Sequence, residues 1–116
     1  MKRIIDIEYA DLSTDSIIFR GKLRVFAKDG SFVDVWFSLK VPDRFSYHWE
    51  RRHFDGTMYR HDNFPDINWQ RISTYPKHFH NGSQNVVDES NIDDDPGAGL
   101  RQFMELVRFR LASTAR

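Results

Sequence analysis

Apolar and polar positions alternate through most of the first half of the chain, and this period of two marks half-buried strands. In residues 17–27, Phe19, Gly21, Leu23 and Val25 interleave with Arg20, Lys22 and Arg24. The pattern predicts one strand with an apolar and a basic face. Lys28-Asp29-Gly30-Ser31 follows, and Asp-Gly accepts the positive φ angles of a tight hairpin turn. Residues 32–39 return, with Val33, Val35, Phe37 and Leu39 on one face. Pro42-Asp43 breaks that strand. Residues 44–52 and 57–63, joined by Asp55-Gly56, predict a second hairpin. Residues 63–75 have no clean period and read as a loop holding Pro65 and Trp69. Pro76-Lys77-His78-Phe79-His80 is a short extended segment, Asn81-Gly82 a turn, and residues 84–87 a brief edge strand. Residues 4–9 are expected to form a short first strand or a terminus that pairs with one.

The period changes only near the C-terminus. Leu100, Phe103, Met104, Val107 and Leu111 recur at spacings of three and four, which predicts a helix over residues 100–111 with one apolar face. The acidic residues before it suit a helix N-terminus, and its arginines suit the C-terminal half. Residues 90–99 read as an acidic linker or a lead-in to that helix. The expected fold is α+β, a meandering antiparallel β-sheet with a C-terminal α-helix packed on one face.

Length and charge narrow the class. A chain of 116 residues has the size of one domain, expected to span residues 1–116. The formal net charge of zero gives no global pull toward nucleic acid. Charge is uneven locally. Asp88, Glu89, Asp93, Asp94 and Asp95 stand in a stretch without Lys or Arg, while Arg101, Arg108, Arg110 and Arg116 follow against Glu105. Cysteine is absent, which removes disulfides and thiolate metal sites and fits a reducing, cytoplasmic setting. No apolar run approaches the ~20 residues of a membrane span, and Asp6 interrupts the N-terminal apolar residues too early for a signal-peptide core.

The chemistry concentrates in one segment. All five histidines lie between His48 and His80, and imidazole is both a proton carrier near neutral pH and a common metal ligand. In a strand, His78 and His80 project from one face and Phe79 from the other. Two such imidazoles can share a metal ion, or act as acid and base on a phosphate. They can also be plain surface histidines flanking a core Phe. In Tyr47-His48-Trp49, the rings of Tyr47 and Trp49 share a face opposite His48, as a buried pair beneath an exposed histidine would. In residues 59–63, Arg60 and Asp62 share a face opposite Tyr59, His61 and Asn63. Arg60 and Asp62 read either as a salt bridge or as a phosphate clamp beside a group that orients a histidine or binds metal. His53 falls in a turn and drops out. No phosphate-cradling G-x-x-x-x-G-K-[ST], H-E-x-x-H or G-x-S-x-G pattern is present.

The order of these motifs carries a resemblance. Tyr47-His48-Trp49 is followed by Tyr59-Arg60-His61-Asp62-Asn63-Phe64-Pro65, then by Pro76-Lys77-His78-Phe79-His80-Asn81-Gly82 and a C-terminal helix. Over residues 17–111 this is similar to the TumE-type toxin family of prokaryotic toxin–antitoxin modules. Phe45 stands where that family has a tyrosine, and Lys77 where it has the first of three histidines. The resemblance implies an intracellular toxin with a small antitoxin partner, often a DNA-binding one. Its motif residues map onto Tyr47, His48, Trp49, Tyr59, Arg60, Asp62, Asn63, Pro65, His78, His80 and Gly82.

The leading expectation is a toxin acting as a metal-independent ribonuclease. RNA cleavage needs a base for the 2′-hydroxyl, an acid for the leaving oxygen and cations for the developing charge. His78 and His80 are the expected base and acid, with His48, Asp62 and Tyr47 completing the catalytic set. Arg60 and Lys77 form the clamp, and Tyr59 and Asn63 join Lys77 in binding substrate. One alternative is a divalent metal held by His78, His80 and Asp62. Another is a non-catalytic module that binds protein or nucleic acid through its acidic segment and basic helix. The polar-faced hairpins are compatible with a homodimer.

Overall fold

The computed structural model describes residues 1–114; Arg116, one of the basic residues of the C-terminal stretch, lies outside them. Seven strands form one sheet in the order β1 to β7, each antiparallel to the next. They are β1 (Ser13–Phe19), β2 (Lys22–Ala27), β3 (Phe32–Phe37), β4 (Phe45–Arg51), β5 (Thr57–Asp62), β6 (His78–Gly82) and β7 (Val87–Glu89). Two helices flank them, α1 (Lys2–Glu8) and α2 (Pro96–Thr114). The expected meander with a C-terminal helix is thus the observed fold.

Alternation decides what each face carries. Leu23, Val25, Val33, Val35, Tyr47, Trp49 and Tyr59 point toward α2, and its Leu100, Phe103, Met104 and Val107 complete a buried core. The rings of Tyr47 and Phe103 stack with centroids 5.7 Å apart. The helix starts a turn earlier than its apolar period predicts. Asp95 caps it, its Oδ2 accepting the Ala98 N–H at 3.0 Å, and Pro96 occupies the first turn, where its missing N–H costs nothing. Gly99 lets the helix come close, because a Cβ there would lie 2.6 Å from Tyr47 Oη and 2.8 Å from the Asp93 carbonyl oxygen.

Three local expectations are corrected. Residues 4–9 do not form a strand: Ile5 and Tyr9, four apart and both buried, lie on one side of α1, and Lys2 pairs with Asp6 at 2.7 Å along it. Residues 17–27 are not one strand. Arg20 and Gly21, with φ of 52° and 76°, make a tight turn that pairs Phe19 with Lys22. Arg20 gives no turn signal, so an unbroken alternation concealed it. Leu39 does not join the apolar face of β3; that strand ends at Phe37, and Leu39 is fully exposed in the loop.

Candidate functional site

The sheet face away from α2 is polar, and strand register arranges its residues in rows. Asp34, His48, Arg60 and His80 stand opposite one another across β3 to β6. Ser46, Asp62 and His78 form the next row, two residues along. The loop after β5 then folds back over this end of the face. Its Trp69 ring meets His80 edge-on at 6.0 Å, and its Phe64 ring stacks on Trp36 at 5.6 Å. This overhang turns a flat sheet into a concave surface.

The overhang buries Asp62, His78 and His80 to 3, 2 and 1 % exposure. Backbone carbonyls orient both imidazoles. His78 Nδ1 lies 2.8 Å from the Pro76 oxygen and His80 Nδ1 lies 3.0 Å from the Gln84 oxygen. A carbonyl only accepts, so each Nδ1 carries the proton and donates. Each Nε2 then faces the Asp62 carboxylate, His78 at 3.3 Å from Oδ1 and His80 at 3.8 Å from Oδ2. Asp62 is itself anchored: Arg60 Nε donates to its Oδ2 at 2.9 Å and the Phe64 N–H to its Oδ1 at 3.0 Å. Arg60 Nη2 donates to Gln84 Oε1 at 2.9 Å. A cavity of about 310 Å³ opens on this corner, lined in part by Ser46, Asp66 and Gln84.

His48 stands on the other side of Arg60. Its Nε2 lies 3.0 Å from Glu50 Oε1, and Glu50 is gripped in turn by Arg52, whose Nη2 is 2.7 Å away. That grip brings the Glu50 carboxyl down to about 2. Burial holds His48 below the ordinary imidazole range, more than offsetting the Glu50 contact. Burial, with Arg60 beside it, likewise lowers His80. A second cavity, of about 460 Å³, runs from His48 past Arg60 and Trp36 to Arg20 and Lys22. Ser46, Arg60 and Phe64 line both cavities, which therefore adjoin along these side chains and together make up the trench.

Five of the nine candidate residues from the sequence meet here: His48, Arg60, Asp62, His78 and His80. The other four do not. Tyr47 is 1 % exposed on the α2 side, and burial, followed by the charges of Asp95 and Asp93, raises its hydroxyl far above neutral pH. Tyr59 lies on that same side, packed on Trp49 at 5.5 Å. Lys77 is tied to the acidic segment, donating to the Ile92 oxygen at 2.6 Å and pairing with Asp94 at 3.2 Å. Asn63 is a pin between loops: its Oδ1 accepts the Phe45 N–H, and its Nδ2 donates to the Asp43 oxygen. Tyr47 and Tyr59 are excluded by strand alternation, and Lys77 and Asn63 by local hydrogen bonds that the sequence does not show.

Sequence reasoning missed Glu50, Gln84, Trp36 and Phe64. Glu50 was within reach, because a spacing of two from His48 puts it on the same strand face. Gln84 and Phe64 lie in a turn and a loop, whose placement has no period to read.

A small antiparallel sheet with one face under a helix, and a His/Asp/Arg trench in the other, defines a class of compact α+β proteins equipped for polar chemistry. The family model described as Toxin TumE matches residues 2–111, and the chain belongs to that family. It is the toxin of a toxin–antitoxin module, with an antitoxin as partner. Among curated proteins and solved structures, nothing matches. Among the described residues no helix is long and apolar enough to cross a membrane.

Proposed function

We propose that this toxin is a ribonuclease that cleaves RNA in the trench. The observation that carries the reading is the convergence of His48, Arg60, Asp62, His78 and His80 on one concave surface. Internal transfer removes the 2′-hydroxyl proton, bonds that oxygen to phosphorus and breaks the bond to the 5′-oxygen, which takes up a proton. The products are a 2′,3′-cyclic phosphate and a free 5′-hydroxyl.

His48 is the base in this reading. A carboxylate only accepts, so the Nε2 that meets Glu50 carries the proton and Nδ1 holds the lone pair. Its lowered proton affinity keeps it neutral at physiological pH, the form a base requires. Arg60 stands between His48 and the Asp62–His78–His80 corner, placed to meet the charge on a phosphorane. The leaving oxygen takes its proton from solvent water in the cavity beside that corner. The stacked Trp36 and Phe64 rings offer a platform for a base, with Arg20 and Lys22 along the backbone path.

The sequence alone suggested His78 as base and His80 as acid. The geometry favours another division, because both Nε2 atoms turn toward one carboxylate and cannot present free edges to opposite sides of a phosphate. An RNA substrate and an antitoxin partner both fit a cytoplasmic site of action.

The test is an RNA digest with the purified chain. Cyclic-phosphate ends are expected, lost on His48→Gln and on Arg60→Ala, with near-native far-UV dichroism in both variants. Intact RNA at high protein concentration, or cleavage indifferent to both changes, overturns the reading. Growth arrest that survives both changes favours the non-catalytic binding module instead.

A further inference from the structure

The corner formed by Asp62, His78 and His80 has a feature that proton transfer alone does not explain. The Nδ1 bonds to Pro76 and Gln84 turn both Nε2 lone pairs toward an acceptor-only carboxylate. An imidazole lone pair and a carboxylate repel one another unless something positive lies between them. A proton on His78 relieves one contact. A divalent ion relieves both, because the three groups offer ligand atoms within 4.8 Å of one another.

We infer that Asp62, His78 and His80 are the ligands of one divalent transition-metal ion. Three observations agree. The ligand atoms all lie within 4.8 Å of one another. The 3.3 Å between His78 Nε2 and Asp62 Oδ1 matches the edge of a tetrahedron with metal bonds of about 2.0–2.1 Å, roughly 3.3 Å. His80 Nε2 lies 3.8 Å from the other oxygen, Oδ2, so the one carboxylate faces both imidazoles. Second, every ligand has an outer partner that fixes its orientation: the Pro76 and Gln84 carbonyls for the imidazoles, and Arg60 Nε with the Phe64 N–H for the carboxylate. Such partners set the tautomer and aim of metal-ligating side chains. Third, the site is not closed. Three protein ligands face a cavity of about 310 Å³, leaving room for water or substrate as a fourth ligand, the arrangement of catalytic rather than structural ions.

The donor set selects the ion class. Two imidazole nitrogens and one carboxylate oxygen suit first-row divalent ions such as zinc, whereas magnesium and calcium take oxygen ligands. The Arg60 charge beside Asp62 opposes a cation and weakens binding without removing it. In the ribonuclease reading the ion would face the phosphate from the same trench wall as Arg60. The metal inference rests on the cluster geometry and stands or falls separately from that reading.

The experiment uses the full chain purified without a histidine tag, stripped with EDTA and dialysed. Zn²⁺ is titrated calorimetrically and Co²⁺ by visible absorption, both without RNA. About one equivalent per chain is expected, with the intense visible bands of a low-symmetry cobalt site. His78→Gln, His80→Gln and Asp62→Asn should each weaken binding at least 100-fold, while His53→Gln, away from the corner, leaves it unchanged. No saturable binding to the folded wild type overturns the inference, whatever the variants do. Binding that survives both His78→Gln and His80→Gln overturns it too. RNA cleavage by a wild-type chain that shows no saturable Zn²⁺ or Co²⁺ binding sinks the metal site and leaves the ribonuclease reading intact. Metal binding without any cleavage does the reverse.

Discussion

His48 is the trench histidine with the most open ring edge, and its surroundings set how it titrates. Burial lowers its pKa while the Glu50 hydrogen bond raises it, so removing Glu50 leaves burial unopposed. In the ribonuclease reading, Glu50→Gln should therefore shift the acidic limb of the kcat/KM profile to lower pH, because the unassisted imidazole stays neutral further into acid. A limb that does not move would place the titrating group elsewhere. His61 acts on stability instead. It stacks on Phe79 with centroids 4.1 Å apart, and burial, aided by the charges of Lys77 and His78, pulls its pKa from 6.5 to about 4. Between those values the unfolded chain binds a proton that the folded chain refuses, so stability falls as pH drops through the window. Each such group contributes at most about 1.4 kcal/mol per pH unit. His48 and His80, also lowered, act with the same sign. His61→Gln should flatten the urea-denaturation free energy between pH 6.5 and 4, and an unchanged slope would show that His61 does not supply it.

Elements meet at few places where one atom decides the fit, and the contact of α2 with β4 is one. A methyl group on Gly99 would collide with the Tyr47 hydroxyl and the Asp93 carbonyl, and neither the core ring nor the backbone yields cheaply. Gly99→Ala should cost about 1–3 kcal/mol, despite the better helix propensity of alanine. The double variant Gly99→Ala with Tyr47→Phe should recover part of that loss in chemical denaturation; no recovery would locate the clash at Asp93. Asp95→Ala removes the helix cap and should cost about 1 kcal/mol.

Over the whole molecule, the sheet separates the core from the candidate site by face. One face carries the core beneath α2, and the other carries the trench, so charge changes at the exposed rim of the trench should leave folding intact. Arg20 is exposed at the β1–β2 turn, and Lys22 forms an ion pair with Asp34 at 3.3 Å. In the ribonuclease reading, Arg20→Gln with Lys22→Gln should weaken RNA binding and reduce its dependence on salt concentration, with a thermal midpoint close to that of the wild type. An unchanged salt slope would remove this flank from the RNA path. Charge neutrality over the chain says nothing of this flank, because Asp34 pairs there with Lys22 and Arg24 while Asp93, Asp94 and Asp95 lie near the start of α2.

Local periodicity alone determined the two-faced sheet, the apolar face of the C-terminal helix and the separation of Tyr47 and Trp49 from His48. These follow from the periods of strand and helix, which are local properties of the backbone. It also determined that His78 and His80 share a face and that Arg60 and Asp62 share one. It did not determine that the two pairs adjoin. That depends on the register of β5 against β6, where Asp62 stands opposite His78 and Arg60 opposite His80, a pairing between residues far apart in the chain. Only the tertiary structure decided that Lys77 and Asn63 are held by loop contacts, that Glu50 and Gln84 brace the trench, and that the 63–77 loop folds over the histidines. Loops have no period, so their paths are set by what they pack against. Here Trp69 against His80 and Phe64 against Trp36 convert a row of polar side chains into a buried, oriented corner.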